Sequence, residues 1–435
     1  MRRPVARPIT GLLAALLSVM ALSLASPSAT ASETASPALR VAFEAWKVGL
    51  FDRAERAGIR RETVVRELGG VGLTLTLPDL AAPAVTRQAP SNRGQAEFTR
   101  PPQAYLDPKT LARLAEQGRR LAVTHRATLS QIERRLGVAP EVVLAIWGRE
   151  TAFGSYQLKH NAIDVLTTLA FTGRRKEMFE EELIAALRMI DLGVAPRTKL
   201  RSSWAGAIGL TQFMPTEFFS TAYDLDGDGV KDLWSPPDAL ASAANQLKLK
   251  GWMNDRPWGY EVRLSPEVTC GMAGPTNARV IGDWVALGLT RVDGTRFSAR
   301  ELEMEAYLLV PGGTYGPVFL VTENYVVFRR YNMSDLYALF VGDLANRIAG
   351  RGTFRTAWAE LEQLSGSDLA EIQQRLKDRG FAITIVDGKL GSNTRSQIGL
   401  YQRSVGLPTD CWPSRSLLSH LRRADSRPSQ AGAAQ

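Results

Sequence analysis

Histidine is scarce in this 435-residue chain: there are three, none of them in a His-Glu-x-x-His pattern, which argues against a zinc peptidase. No Gly-x-Ser-x-Gly elbow and no Gly-Lys-Ser/Thr loop occurs, so α/β-hydrolase and nucleotide chemistries fall away. The two cysteines, Cys270 and Cys411, are too few for a disulfide framework. In an oxidising compartment they either pair across domains or remain free and buried; the expectation is that they stay unpaired. Long apolar runs are also missing, apart from Leu12 to Ala25, and a bilayer span needs about 20 helical residues. No segment therefore reads as membrane-spanning. What is present, 45% hydrophobic and 22% charged residues, is an ordinary globular composition, long enough for two or three domains.

The amino terminus reads as an address. Arg2, Arg3 and Arg7 precede the apolar run, and the small triplet Ala29, Thr30, Ala31 follows it, the order of a secretory signal over residues 1–31. No cysteine follows the run, so a lipid anchor is disfavoured and the periplasm is the expected compartment. Without the three arginines the formal charge falls from +9 to +6, which suits an anionic partner such as a cell-wall polymer or a membrane surface. Export argues against nucleic acid.

Helical periodicity dominates from Leu111 to about Ile348, as in Leu183, Leu187 and Ile190, with a period-two run only near Tyr325 to Phe328. Residues 32–350 are expected to form one large domain, mainly α within an α+β class. The stretch Phe43 to Leu68 also reads as helical, and Pro78 to Pro90 as a loop. After Gly350, Arg351 and Gly352, a short helical connector over 351–365 should lead to a small three-helix unit at 366–423, followed by a frayed tail at 424–435. In that unit Asp368 is the expected first cap, with Glu371 three residues on. The apolar face is Leu369, Ile372 and Leu376, and Gly380 is the stop. A second helix starts at Asn393 and presents Ile398, Tyr401 and Val405. Ser414 caps a third with Leu417, Leu418 and Leu421. A bundle this short has too little core to hide an active site, so binding is its natural role. Gln373, the turn Asp387-Gly388, and Tyr401-Gln402 resemble the signature of the peptidoglycan-binding domain.

One carboxylate stands in an unusual place. Pro140 and Glu141 open a helix whose face carries Val143, Ile146 and Trp147, and Glu150 falls on that face by its spacing. An acid there is either paired with a base or kept protonated near neutral pH by desolvation, ready to deliver a proton. Arg149, adjacent in sequence, points to another face. Spacing alone leaves open a helix-end Glu that simply reaches solvent. The next block, Ser202 to Pro215, has Gly206 and Gly209 for close backbone approach and Gln212 as an amide in an apolar run, the makings of a sugar-binding wall.

Together these blocks resemble the lytic murein transglycosylases of the type B family, in which a Glu-Thr-x-x-Gly helix precedes a Ser-x-Ala-Gly-Ala-x-Gly-x-x-Gln-Phe-Met-Pro segment. The resemblance implies a lysozyme-like catalytic domain acting on peptidoglycan glycan strands, with Glu150 as the single acid and base. It implies that Ser203, Gln212, Tyr325 and Tyr331 line the saccharide cleft, and that Arg174 and Arg175 form a basic pair. For the tyrosines ordinary strand packing is the alternative, and for the arginines a solvated loop, more so for Arg174.

Independently of that resemblance, Asp224, Asp226 and Asp228 with Gly229 reproduce the first half of an EF-hand loop, with the Val230 carbonyl at position seven. Position twelve is Ser235 rather than Glu. In the resembled family an Asp three residues later closes the site, and Asp238 matches it. A structural calcium ion is expected, and no organic cofactor.

Glycosidases that use water need two flanking carboxylates. Asp164, Glu177 and Glu180 to Glu182 read as helix surface, which leaves Glu150 alone. The family's reaction needs only one: cleavage between N-acetylmuramic acid and N-acetylglucosamine without water, leaving a 1,6-anhydromuramoyl end. A hydrolytic muramidase and a non-catalytic wall-binding scaffold are the rivals.

Overall fold

The computed structural model describes residues 35–81 and 100–425. The expected signal segment, most of the 78–90 loop and residues 426–435 lie outside the described residues.

The helix that carries Glu150, Pro140–Thr151, runs through the middle of the large domain. Proline near its start pre-sets the backbone, and every residue from Val142 to Gly148 is buried. Such a helix, apolar on all sides, needs neighbours on all sides. They are Pro108–Thr124, Arg126–Leu136, Pro236–Leu249 and Asp335–Ile348. The sequence suggested a stripe, and the structure instead buries every side of the helix from Val142 to Gly148. Ala162–Thr172 packs along Lys176–Asp191, with Pro37–Arg56 and Arg61–Leu68 outside them.

Between residues 259 and 321 the chain departs from the expected helical pattern. Five antiparallel strands lie in the order Arg279–Val280, Glu305–Leu309, Val318–Val321, Gly259–Arg263, Thr290–Arg291. Both faces of its centre are covered. Tyr307, Leu309, Phe319 and Val321 join the main core, while Ala306, Leu308, Val318 and Leu320 pack with Trp284 and Val262 in a second one. A strand buried on both sides has no polar alternation to betray it. The one period-two run read from the sequence, near Tyr325, is instead part of the helix Glu323–Tyr331.

The carboxyl-terminal unit has the three expected helices, Gly366–Asp378, Ser392–Ser404 and Arg415–Asp425, around Ile372, Leu376, Ile398, Tyr401, Leu417, Leu418 and Leu421. Its first helix begins earlier than expected: Ser365 is the cap and Asp368 its reciprocal partner at the third position. The last helix runs to Asp425, past the expected start of the tail, and Val405 is exposed rather than in the core. Gln373 is buried. Its Oε1 accepts from the N–H groups of Asp387 and Gly388 at 3.0 and 2.8 Å, so this signature glutamine pins the turn. Gln402 does the same for the N–H groups of Asp410 and Cys411.

Residues 351–365 contain no helix before the Ser365 cap, contrary to expectation. The segment is laid on the sheet: Phe354 packs on Phe319 at 4.7 Å between ring centroids, and Ala359 N–H donates to Tyr315 O. The two cysteines, expected to be unpaired, form a disulfide between Cys270 and Cys411. Distance in sequence misled because the small unit docks on the large one. Gly399 meets Gly271 there, in a space where an added Cβ would lie 2.2 Å from Cys411 Sγ. Ser396 Oγ donates to Gly271 O at 2.7 Å.

Candidate active site

Glu150 sits half-buried in the last turn of its helix, and the chain beyond it turns in an unusual way. Ala152, Phe153 and Gly154 have φ of 47°, 58° and 79°, three left-handed residues in succession, of which only glycine adopts that region without cost. The turn is held by Thr151, whose hydroxyl donates to Leu210 O at 2.7 Å while accepting from Gly154 N–H. One threonine thus joins the end of the Glu150 helix to the Ser202 to Pro215 segment.

That segment folds back on itself. Ile208 and Phe213 exchange both backbone hydrogen bonds, at 2.8 and 2.9 Å. Ser203 Oγ accepts from the N–H groups of Ala205 and Ala207, and Gln212, itself left-handed at φ 55°, donates from Nε2 to Gly209 O. Gly206 and Gly209 are also left-handed. An added Cβ on Gly209 would fall 2.8 Å from both the Cβ and the carbonyl oxygen of Leu233. Replacing Gly209 by Ala combines backbone strain with overlap against the main chain, so Gly209→Ala should lower unfolding stability by about 2–4 kcal/mol in a denaturant titration. A loss below about 0.5 kcal/mol would show that the loop is not held as described.

Tyr337, on the Asp335–Ile348 helix, donates its hydroxyl to Glu150 Oε1 at 2.5 Å. Burial first, then the Glu150 carboxylate, push the Tyr337 phenol well above its ordinary value, so it stays a donor. Tyr331 stacks on Tyr337 with ring planes 7° apart and centroids 6.3 Å apart, and donates its hydroxyl to Thr211 O at 2.8 Å. Glu150, Tyr337, Tyr331 and the Gln212 loop therefore form one connected wall. Arg149 donates to the Tyr105 hydroxyl at 3.1 Å, and its guanidinium also lies 5.8 Å from the centre of the Tyr337 ring.

Not every expected cleft residue joins that wall. Tyr325 is fully buried and donates to Asp335 Oδ1 at 2.9 Å, beside Tyr307 and Trp258. Both arginines, Arg174 and Arg175, are exposed; Arg175 pairs with Asp79 at 2.9 Å and lies over the Phe179 ring. Tyr337 went unnoticed because, in Asp-Leu-Tyr-Ala-Leu-Phe, it reads as helix core. The expected surface acids are also placed. Asp164 pairs with Arg197 at 2.5 Å and Glu180 with Arg53 at 2.5 Å, while Glu177 and Glu181 are exposed. Glu182 is not surface: it is buried and accepts from Thr216 N–H and Oγ at 2.9 and 2.7 Å, tying down the start of Pro215–Thr221. A cavity of about 710 Å³ between Glu141, Trp252, Arg291 and Phe354 does not include Glu150. The chemistry, rather than the volume, locates the site.

In the acidic loop, carboxylate oxygens of Asp224, Asp226 and Asp238 converge within 4.8 Å of one another. Asp228 stands outside that group with its Oδ1 on Val230 N–H at 2.7 Å, and Val230 is exposed. Gly227 and Gly229 are left-handed at φ 80° and 87°, as the tight loop requires. Asp238 is 3% exposed and accepts from the N–H groups of Leu225 and Asp232, both at 2.9 Å. Burial raises its carboxyl above the ordinary range; the two N–H bonds oppose the rise, and the charges of Asp226 and Asp224 add to it. A buried acid facing two others fits a hard cation with oxygen ligands.

Residues 42–346 match the family profile described as the transglycosylase SLT domain, and residues 365–420 that of a peptidoglycan binding domain. The chain is similar to membrane-bound lytic murein transglycosylase B of Escherichia coli strain K12, with 32% identity over 228 residues, 49% of this chain and 58% of that relative. The chain thus spans less than two thirds of the curated relative it matches. The crystal structure of SltB3 from Pseudomonas aeruginosa in complex with NAG-anhNAM-pentapeptide superposes with a TM-score of 0.76 and 39% identity, over 87% of this chain and 99% of that one. The Escherichia coli lytic transglycosylase SLT35 in complex with calcium gives a TM-score of 0.57 and 26% identity, over 70% and 93%.

Proposed function

The chain belongs to the transglycosylase SLT domain family, and from that premise we propose that it is a periplasmic peptidoglycan lytic transglycosylase with Glu150 as its single acid and base. The observation that carries the reading is a half-buried carboxylate at the end of a helix whose run Val142 to Gly148 is buried and apolar, held by the Tyr337 hydroxyl beside the Gln212 loop. Glu150 gives its proton to the oxygen of the bond between N-acetylmuramic acid and N-acetylglucosamine. The C1–O bond breaks, the muramoyl C6 hydroxyl closes on C1, and the same carboxylate takes up the proton that hydroxyl loses. Charge at C1 is met by the substrate's own acetamido group in place of a second carboxylate. Tyr337 donates to one carboxylate oxygen and so fixes the orientation of the group. Ser203, Gln212 and Tyr331 line the glycan path, and Arg174 stands exposed for acidic groups of stem peptides. Arg175 is committed to Asp79, and Tyr325 acts through the interior.

The small unit adds grip on the same polymer. No helix among the described residues is long and apolar enough to cross a membrane. A disulfide joining the two units supports an oxidising compartment. Turbidity of a suspension of purified sacculi should fall when the protein is added. A suspension that binds the protein and stays turbid would favour the scaffold reading.

Asp224, Asp226 and Asp238, with Asp228 and the Val230 carbonyl from the loop sequence, would hold calcium, which would neutralise the buried acid and tie the loop to the helix Pro236–Leu249. At a calcium concentration about 100 times its dissociation constant the gain is about 2.7 kcal/mol. Chelator should lower the melting temperature by several degrees, and Asp226→Ala should abolish the difference. Identical melting with and without chelator would remove the metal from the account.

A further inference from the structure

Asp335 opens the helix that carries Tyr337, and its carboxylate is enclosed by four groups. From the large domain come the Tyr325 hydroxyl at 2.9 Å and Arg329 at 3.2 Å. From the small unit come the Ser392 hydroxyl at 2.8 Å and Arg395 Nη2 at 3.1 Å. Arg395 is 4% exposed, and its Nη1 donates to Leu390 O within its own unit. Burial raises the Asp335 carboxyl, but Arg329 and Arg395 together outweigh it and hold the group charged, below the ordinary range.

Docking alone has no need of this pair. Burying an arginine and an aspartate costs several kcal/mol of hydration, and apolar residues would join two surfaces at least as well. The pair is better explained by where it acts. Ser334, just before Asp335, accepts from Tyr337 N–H at 3.3 Å, and Tyr337 holds Glu150. From the small unit to the proposed acid the path is Arg395, Asp335, the first turn of one helix, Tyr337, Glu150.

We infer that the carboxyl-terminal unit, besides binding the wall, completes the catalytic domain, with Arg395 as a positioning residue that holds Tyr337 against Glu150 through Asp335. The inference rests on the assignment of Glu150 as the proton donor. A shift of about 1 Å in that contact is enough to lower turnover on the order of a hundredfold without weakening substrate binding.

The test uses the purified full chain and a short soluble glycan fragment released from sacculi. On this substrate, grip on the insoluble wall plays no part. Arg395→Ala should lower kcat about ten- to a hundredfold with KM within about threefold, and Arg395→Lys should recover most of the loss. Tyr337→Phe should cost a similar factor, and the double variant should lose little more than either single one, because both act at one contact. A folded Arg395→Ala with kcat within about twofold of wild type, or losses that simply multiply in the double variant, would overturn the inference. If Arg395→Ala does not fold, Ser392→Ala decides: a fall in kcat at constant KM supports the inference, and an unchanged kcat refutes it. A wild-type protein that fails to cleave the fragment would sink the transglycosylase reading on which the inference rests, a separate result.

Discussion

Glu150→Gln should abolish solubilisation of sacculi while leaving the melting temperature within a few degrees of wild type. Glutamine keeps an oxygen to accept from the Tyr337 hydroxyl, so the wall of Tyr337, Tyr331 and the Gln212 loop should survive. What it cannot do is lose and regain a proton. A positioned acid or base contributes about 10²–10⁴-fold, and here one group serves both steps, so the loss should reach at least about 10³-fold in kcat. Binding to insoluble peptidoglycan should persist, since the small unit is untouched. Residual turnover above about a tenth of wild type would mean that another group delivers the proton.

The second large effect is expected from the disulfide. Cys270 and Cys411 close a loop of 141 residues. On the chain-entropy account such a loop is worth roughly 5 kcal/mol, and measured losses for natural disulfides run at about 2–5 kcal/mol. Changing both cysteines to Ser should lower unfolding stability by that amount. Amide hydrogens in the helices Gly366–Asp378 and Ser392–Ser404 should exchange faster before those around Glu150 do. Equal stability of the double Ser variant and the oxidised protein would show that the small unit is docked by its surface contacts alone.

What could be read from the sequence was what short-range spacing encodes. Glu150 stands out because an acid ends an apolar helix, and the Asp224 to Gly229 loop because its acids recur at every second residue. The three helices of the small unit show their apolar faces, although the first cap is Ser365 rather than the expected Asp368. The rest depends on pairs far apart. Tyr337 meets Glu150 across 187 positions, and nothing within Asp-Leu-Tyr-Ala-Leu-Phe distinguishes a functional phenol from core. The central strands escaped because burial on both faces erases their alternation. Tyr325 and Arg175 were expected at the cleft, but their partners, Asp335 and Asp79, turn one toward the interior and satisfy the other.

The claim that one carboxylate carries both proton transfers, with the substrate's own hydroxyl as nucleophile, has a direct test. Sacculi are digested by the protein in water enriched in heavy oxygen, and the released muropeptides are weighed by mass spectrometry. The account predicts anhydromuramoyl ends that carry no heavy oxygen. Reducing muramic ends bearing one heavy oxygen each would show that water enters the reaction, and would contradict it.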